Sequence, residues 1–174
     1  MHVPVVILGA GPAGSLLAWI LRLRGIESVV LEARSREYVE SRVRAGVMEQ
    51  NAVDLVVKAG VGERLMKERM YHPGVCIGFK NQHHFLDFDK LIGRGVTVYG
   101  QQELTKDLLG ALAAESHPVI YDAPALAIEG HKDDRATVRY QHEGVEKQLT
   151  AGFVLGCDGF HGPSRQSIPR GLLK

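Results

Sequence analysis

The sequence predicts an α/β fold built around a parallel sheet, and three observations carry that expectation. First, residues 3–32 run as an apolar strand (Val3 to Leu8), a glycine-rich turn (Gly9 to Gly14), an apolar helix (Ser15 to Arg24), a second apolar strand (Glu27 to Leu31) and an acid, Glu32. Second, two later apolar runs, Pro118 to Tyr121 and Phe153 to Cys157, have the unbroken hydrophobicity of strands buried on both faces. Third, three alternating segments at about 124–129, 136–142 and 145–150 read as an antiparallel meander inserted among the parallel elements.

The opening unit is a Rossmann-like βαβ dinucleotide fingerprint, with strand, helix and terminal acid all in place around Gly9-x-Gly11-x-x-Gly14. Gly9 makes the tight turn off the first strand. Gly11 leaves backbone bare for a pyrophosphate, and Gly14 lets the helix pack closely on the sheet. Pro12 stands where the helix begins, so its missing N–H costs nothing. The free amides and positive end of the helix then face the phosphates. Glu32 is placed to accept hydrogen bonds from a ribose diol and would repel a 2′-phosphate, which suits FAD or NAD and disfavours NADP in this pocket.

The 174 residues suffice for one core, and 45% hydrophobic with 24% charged residues is the balance of a globular protein. A net charge of +1 gives no argument for nucleic acid or an anionic membrane as a partner. No stretch is long enough to span a bilayer, and the apolar start lacks the basic flank of a signal peptide. Cys76 and Cys157 lie in apolar runs and read as buried, reduced thiols, so a cytoplasmic location is expected.

After Glu32, residues 33–47 place Arg42 and Arg44 around Val43, ahead of Ala45, Gly46 and Val47. The spacing admits two readings: a solvated charged connection, or phosphate and ribose donors followed by backbone bare enough to meet a flat ring. A helix is expected from Met48 to Lys58 with Val53, Val56 and Val57 on one face, and another from Val61 to Arg69. Residues 74–79 and 83–88 read as a hairpin about Lys80-Asn81-Gln82. His72, His83 and His84 are close in sequence, but adjacent strand residues face opposite ways and no carboxylate or thiol completes a ligand set; no metal is expected. A strand at Val96 to Tyr99 leads to Gln101. The helix from Glu103 to Glu115 then buries Leu104, Leu108, Leu109 and Leu112. Gly130 to Asp134 and Glu143-Gly144 join the meander segments. Asp158-Gly159-Phe160-His161-Gly162-Pro163-Ser164-Arg165 follows the last strand, where α/β sheets bind ligands; Asp158 reads either as a ligand group or as a helix cap.

Three stretches together resemble the class A flavoprotein aromatic hydroxylases: Gly9 to Gly14 with Glu32, Arg42 to Gln50, and Cys157 to Arg165. Val98 to Gln101 and Gln166 to Pro169 fit as well, and the pattern is most like the members acting on 4-hydroxybenzoate. The resemblance runs in order along nearly the whole chain. It implies FAD on the first fingerprint, with Ala13 among the pyrophosphate contacts. It places the 42–47 segment along the ribityl chain and ring, with Arg44 near the pyrophosphate, and Gln101 against FAD. Asp158 and Gly159 would serve FAD and the nicotinamide donor, with His161 and Arg165 near the latter. The implied chemistry is hydroxylation of a small phenolic acid ortho to its hydroxyl, 4-hydroxybenzoate to 3,4-dihydroxybenzoate, using NADPH or NADH and O2. Ala33 stands where an NADPH-using member has arginine, while Arg34, Arg36 and Tyr38 stay available to a phosphate, a mild lean to NADPH.

Family chains are longer, so the sequence reads as an amino-terminal part without the substrate-orienting groups or any catalytic residue of its own. Residues 1–71 and 96–174 would form the FAD-binding domain, and residues 72–95 a hairpin of the substrate-domain sheet. Uncovered apolar surface makes a homo-oligomer the expected state. Two rival readings are an NAD-dependent dehydrogenase domain and a non-catalytic dinucleotide-binding module.

Overall fold

The computed structural model describes residues 2–130 and 134–172. In chain order it contains β1 (His2–Leu8), α1 (Pro12–Leu23), β2 (Ser28–Leu31), α2 (Arg36–Ser41), β3 (Val47–Glu49), α3 (Gln50–Lys58) and α4 (Glu63–Glu68). Then follow β4 (Met70–His72), β5 (Gly74–Phe79), β6 (Gln82–Asp87), α5 (Phe88–Ile92), β7 (Val96–Val98) and α6 (Gln101–Ala114). The chain finishes with β8 (Val119–Ile120), β9 (Ala125–Glu129), β10 (Ala136–His142), β11 (Val145–Gly156), α7 (Pro163–Gln166) and a 3-10 turn, Arg170–Leu172.

The main sheet has the order β8-β2-β1-β11-β10-β9. Its first four strands are parallel, and the last two join antiparallel. Helices α1 and α6 cover one face, where Val5, Ile7 and Val30 meet Ala18, Leu109 and Leu112. Val6, Leu8, Val29 and Leu31 point to the other face, as the period of two requires, and pack on Val138, Tyr140 and Leu149 of the meander. Each fully buried aliphatic side chain there contributes roughly 1.5–3 kcal/mol.

The meander is continuous with the parallel sheet rather than a separate insertion. The expected third meander segment and the strand from Phe153 are one strand, β11. It pairs with β10 from Val145 to Ala151 and with β1 from Thr150 to Gly156. Sharing only Thr150 and Ala151, the two ladders let the strand twist out of one plane, which folds β9 and β10 over the sheet face. Phe153, expected to be buried, is 68% exposed. The Glu143-Gly144 joint has φ of 54° and 76°, a tight hairpin turn. Most of the expected Gly130 to Asp134 joint lies outside the described residues, as do Leu173 and Lys174.

Further differences from the expected elements have identifiable physical causes. The helix expected from Met48 starts at Gln50, because Val47–Glu49 is drawn into a ladder with β7. With β4 these strands form a small antiparallel sheet, so the strand at Val96 stands apart from the parallel sheet. Phe88 opens α5 instead of ending the hairpin, because the Asp87 carboxylate accepts the Lys90 N–H at 3.0 Å as a cap. Cys76, on the hairpin, is exposed rather than buried, and Val57 is 43% exposed while Val53 and Val56 are buried. The hairpin β5–β6 turns through Lys80 and Asn81, both at positive φ, and pairs with no other strand among the described residues.

Candidate dinucleotide site

Gly9 adopts φ +98°, and a Cβ there would stand 2.6 Å from the Cys157 carbonyl oxygen and 3.1 Å from the Asp158 Cα. Glycine therefore permits the turn and lets the two glycine-rich motifs abut at the carboxyl ends of β1 and β11. The Gly9 N–H donates to the Leu31 carbonyl at 2.8 Å, and the Ala10 N–H donates to Glu32 Oε2 at 2.7 Å. Glu32 Oε1 accepts the Arg34 N–H at 2.9 Å. The acid is thus turned toward the first glycine turn and held there by backbone.

Helix α1 opens with Gly11 at its N-cap and Pro12 at its first position, and no side chain caps it. The first internal bond is Ser15 N–H to the Gly11 carbonyl, 2.9 Å. The amides of Gly11, Ala13 and Gly14 have no acceptor among the described residues. A Cβ on Gly11 would meet nothing within 4 Å, so the space above it is clear. A Cβ on Gly14 would fall onto the Gly9 carbonyl oxygen; this glycine sets how closely α1 approaches the turn.

A cleft with about 370 Å3 of empty space, part of it open to solvent, runs from Gly11 and Pro12 past Glu32 to Arg34, Tyr38, Arg42 and Arg44. The Tyr38 ring is flanked by the Arg34 and Arg42 guanidinium groups at 5.4 and 5.9 Å. Arg34, Arg42 and Arg44 have no carboxylate partner among the described residues, whereas Arg36, an expected phosphate contact, is paired with Glu40 at 2.7 Å. Thr105 of α6 also lines the cleft, a residue the sequence reading passed over. It follows Gln101 by one helical turn, and its hydroxyl donates to the Gln101 carbonyl at 2.8 Å; that i, i+4 spacing was the available signal.

The backbone at 45–47 lies against the start of α6. The Tyr99 N–H donates to the Gly46 carbonyl at 2.7 Å, and a Cβ on Gly46 would come to 3.8 Å from the Gly100 Cα. Ala45, Val43 and Val47 are exposed, and Gln101 is half-buried.

Asp158 accepts the Ser164 N–H at 3.0 Å and is also bonded to the Ser164 hydroxyl, so its carboxylate closes the start of α7. Gly162 has no room for a Cβ beside that carboxylate. Gly159 turns at φ +78°. Phe160, His161 and Arg165 form an exposed cluster, with Arg165 stacked 4.6 Å from the Phe160 ring and His161 edge-on at 5.1 Å. His161 and Arg165 do not line the cleft at Gly11. Burial, then the neighbouring Asp158 charge, pushes the Cys157 thiol up, so it stays protonated near neutrality. Among the described residues no group of three His, Cys, Asp or Glu side chains is arranged to hold a metal, and no helix is long and apolar enough to cross a membrane.

Residues 2–172 match the family model described as an FAD binding domain. The chain belongs to this FAD-binding family. It is 39% identical over its whole length to the p-hydroxybenzoate hydroxylase of Acinetobacter baylyi, covering 43% of that protein. It is 31% identical over 91% of its length to a Streptomyces rimosus 12-dehydrotetracycline 5-monooxygenase/anhydrotetracycline 6-monooxygenase, covering 31% of it. The solved anhydrotetracycline hydroxylase from Streptomyces rimosus superposes with a TM-score of 0.82 at 26% identity, over 95% of this chain and 33% of that one. A p-nitrophenol 4-monooxygenase from Pseudomonas putida superposes at 0.81 with 20% identity, over 94% and 43%, and shows the fold alone. The FAD-binding domain thus spans less than half the length of these flavin monooxygenases.

Proposed function

We propose that this FAD-binding domain holds its cofactor with the diphosphate on the amides that open α1 and the adenosine ribose on Glu32. The whole protein is then a hydroxylase that converts 4-hydroxybenzoate to 3,4-dihydroxybenzoate with NADPH or NADH and O2. The observation that carries the first statement is the uncapped start of α1, whose Gly11, Ala13 and Gly14 amides have no acceptor among the described residues and whose Gly11 borders the open cleft that Glu32 also lines. The residues fit the group. Each carboxylate oxygen of Glu32 already accepts one backbone N–H, and its remaining lone pairs suffice for two ribose hydroxyls. The second statement is supported by the p-hydroxybenzoate hydroxylase relative, matched along the entire chain.

FAD, when bound, supplies the redox chemistry and the transfer of oxygen to the ring. The protein's part is to bind and orient it. Arg44, on the cleft wall, adds a positive charge near the diphosphate, while Arg42 and Val43 carry the chain past the ribityl group. Ala45, Gly46 and Val47 would meet the ring through backbone, and Gln101, at the start of α6 beside them, would contact FAD as well. Asp158 and Gly159 reach the ribityl chain from β11, and His161 and Arg165 meet the nicotinamide donor. Of the residues expected to meet a donor's 2′-phosphate, Arg36 is paired with Glu40, and Arg34 beside Tyr38 keeps its charge available, a mild lean to NADPH. Residues 72–95 belong to the substrate domain's sheet, a reading supported by a hairpin that pairs with no other strand among the described residues and exposes Phe79 and Phe85.

The purified chain is expected to be yellow, or to melt at a higher temperature once FAD is added. Calorimetry showing NAD binding without FAD binding would overturn the reading. Mixing the FAD-loaded chain with NADPH or NADH and following flavin bleaching decides the donor.

A further inference from the structure

We propose that Tyr99, tied through its hydroxyl to Asp107 and Arg64, is a positioning residue that fixes the backbone contact between Gly46 and Gly100. This rests on the reading that FAD meets the 45–47 backbone and Gln101 at the start of α6. Tyr99 follows β7 and is 5% exposed. Its phenol donates to Asp107 Oδ2 at 2.7 Å, and Asp107 Oδ1 accepts Arg64 Nη1 at 2.7 Å. Arg64, on α4, also pairs with Glu103 in the first turn of α6, and its guanidinium lies 5.9 Å from the Tyr99 ring. The main chain of the same residue donates its N–H to the Gly46 carbonyl at 2.7 Å.

One residue therefore joins four pieces: the bare backbone at Gly46, the entry to α6 at Gly100, the second turn of α6 at Asp107, and α4. A phenylalanine would fill the same space, so the hydroxyl serves something besides packing. A bond from a neutral phenol to a carboxylate already paired with arginine is charge-assisted and directional. It holds the ring in one pose, and the ring holds the N–H that grips Gly46. Without the hydroxyl, Gly46 and Gly100 lose their fixed separation, and an offset of this kind degrades the fit of a flat ligand far more than it unfolds the domain.

The test compares the 174-residue chain with Tyr99→Phe and Asp107→Asn. Three readouts are taken well below each melting point: FAD titration by flavin fluorescence, visible circular dichroism of the bound flavin, and amide exchange at Tyr99. Weakening on the order of tenfold is expected, with an altered flavin dichroism and faster exchange, from either variant. The double variant is expected to be no worse than the worse single one, since both break one link. FAD binding within twofold of wild type with unchanged dichroism overturns the proposal, even if the melting point has dropped. Wild type that fails to bind FAD overturns the cofactor reading instead, and unchanged exchange at Tyr99 would then show that the hydroxyl does not fix Gly46. If Tyr99→Phe does not fold, Asp107→Asn carries the same comparison.

Discussion

Replacing Gly11 by alanine separates binding from folding in this domain. The residue sits at φ −68° and ψ −178°, extended backbone open to any side chain, and a Cβ there meets nothing within 4 Å. Alanine is a poorer N-cap than glycine, so the cost to the apoprotein is about 0.5 kcal/mol. For a chain of this size that lowers the melting point by roughly 1–2 °C. The consequence for FAD is much larger, because the new methyl stands where the diphosphate must approach the Gly11, Ala13 and Gly14 amides. Losing one hydrogen bond to a charged group removes about 1.5–3 kcal/mol, roughly a ten- to hundredfold weakening. Flavin fluorescence titration at 25 °C and calorimetry of the apoprotein measure the two effects separately. Gly14→Ala is the counter-case: its Cβ collides with the Gly9 carbonyl oxygen, so it should destabilise the apoprotein by roughly 1–3 kcal/mol or more. Gly11→Ala binding FAD within threefold of wild type would show that no phosphate rests on these amides.

Other consequences follow from burial and charge. Burial, then the Arg22 charge, holds His117 below its usual value of 6.5, so the unfolded chain takes up a proton that the folded chain resists. Stability should fall as the pH drops through 6.5 toward the lower folded value, and His117→Gln should flatten that part of a melting-point profile. Leu108 is fully buried in the cluster around Met48, Val53 and Tyr99; Leu108→Ala should cost about 2–5 kcal/mol in denaturant unfolding. Phe79, Phe85, Leu91 and Ile92 are each more than half exposed on the hairpin and α5. Self-association by light scattering should decrease in Phe79→Lys/Leu91→Lys, with unfolding free energy changed by less than about 0.5 kcal/mol.

Local chemistry made the first βαβ unit legible, because every feature of it is contiguous. The strand, the Gly9 turn, the Pro12 start and the Gly25 stop at φ +70° are each set by residues within a turn of the feature they make. The α6 face at Leu104, Leu108, Leu109 and Leu112 was equally readable, since helical spacing alone assigns it. What failed depended on distant partners. Val47–Glu49 is a strand only because β7, nearly fifty residues later, supplies its ladder. Continuity of β11 could not be read either, since a strand that changes neighbours midway carries no local mark. In the candidate site, the glycines and Glu32 announced themselves by pattern. Tyr99, Asp107 and Arg64 did not: a buried tyrosine and a surface ion pair look ordinary until three elements bring them together.

The two glycine-rich turns lie side by side, yet their electrostatics divide the work between them. Helix α1 runs twelve residues behind its open amides and carries a developed dipole, so negative charge is stabilised at its start. Helix α7 has only four residues, and the Asp158 carboxylate already occupies its Ser164 amide and hydroxyl. A phosphate brought to the second turn would meet a like charge and find little dipole to offset it. Carboxylates at both turns, Glu32 and Asp158, can accept from hydroxyl groups, which a dinucleotide supplies on its ribose and ribityl portions. Phosphates are left with the α1 amides and the unpaired guanidinium groups of Arg34, Arg42 and Arg44. The order of groups along FAD, ribose then diphosphate then ribityl, matches the order of acid, amides and second acid across this end of the sheet. NAD offers the same sequence of groups up to the second sugar, so the shape of the first pocket alone would not choose between them. On the proposed reading the two ligands would differ at the ring, which would have to meet the 45–47 backbone that the Gly46 carbonyl ties to the Tyr99 N–H.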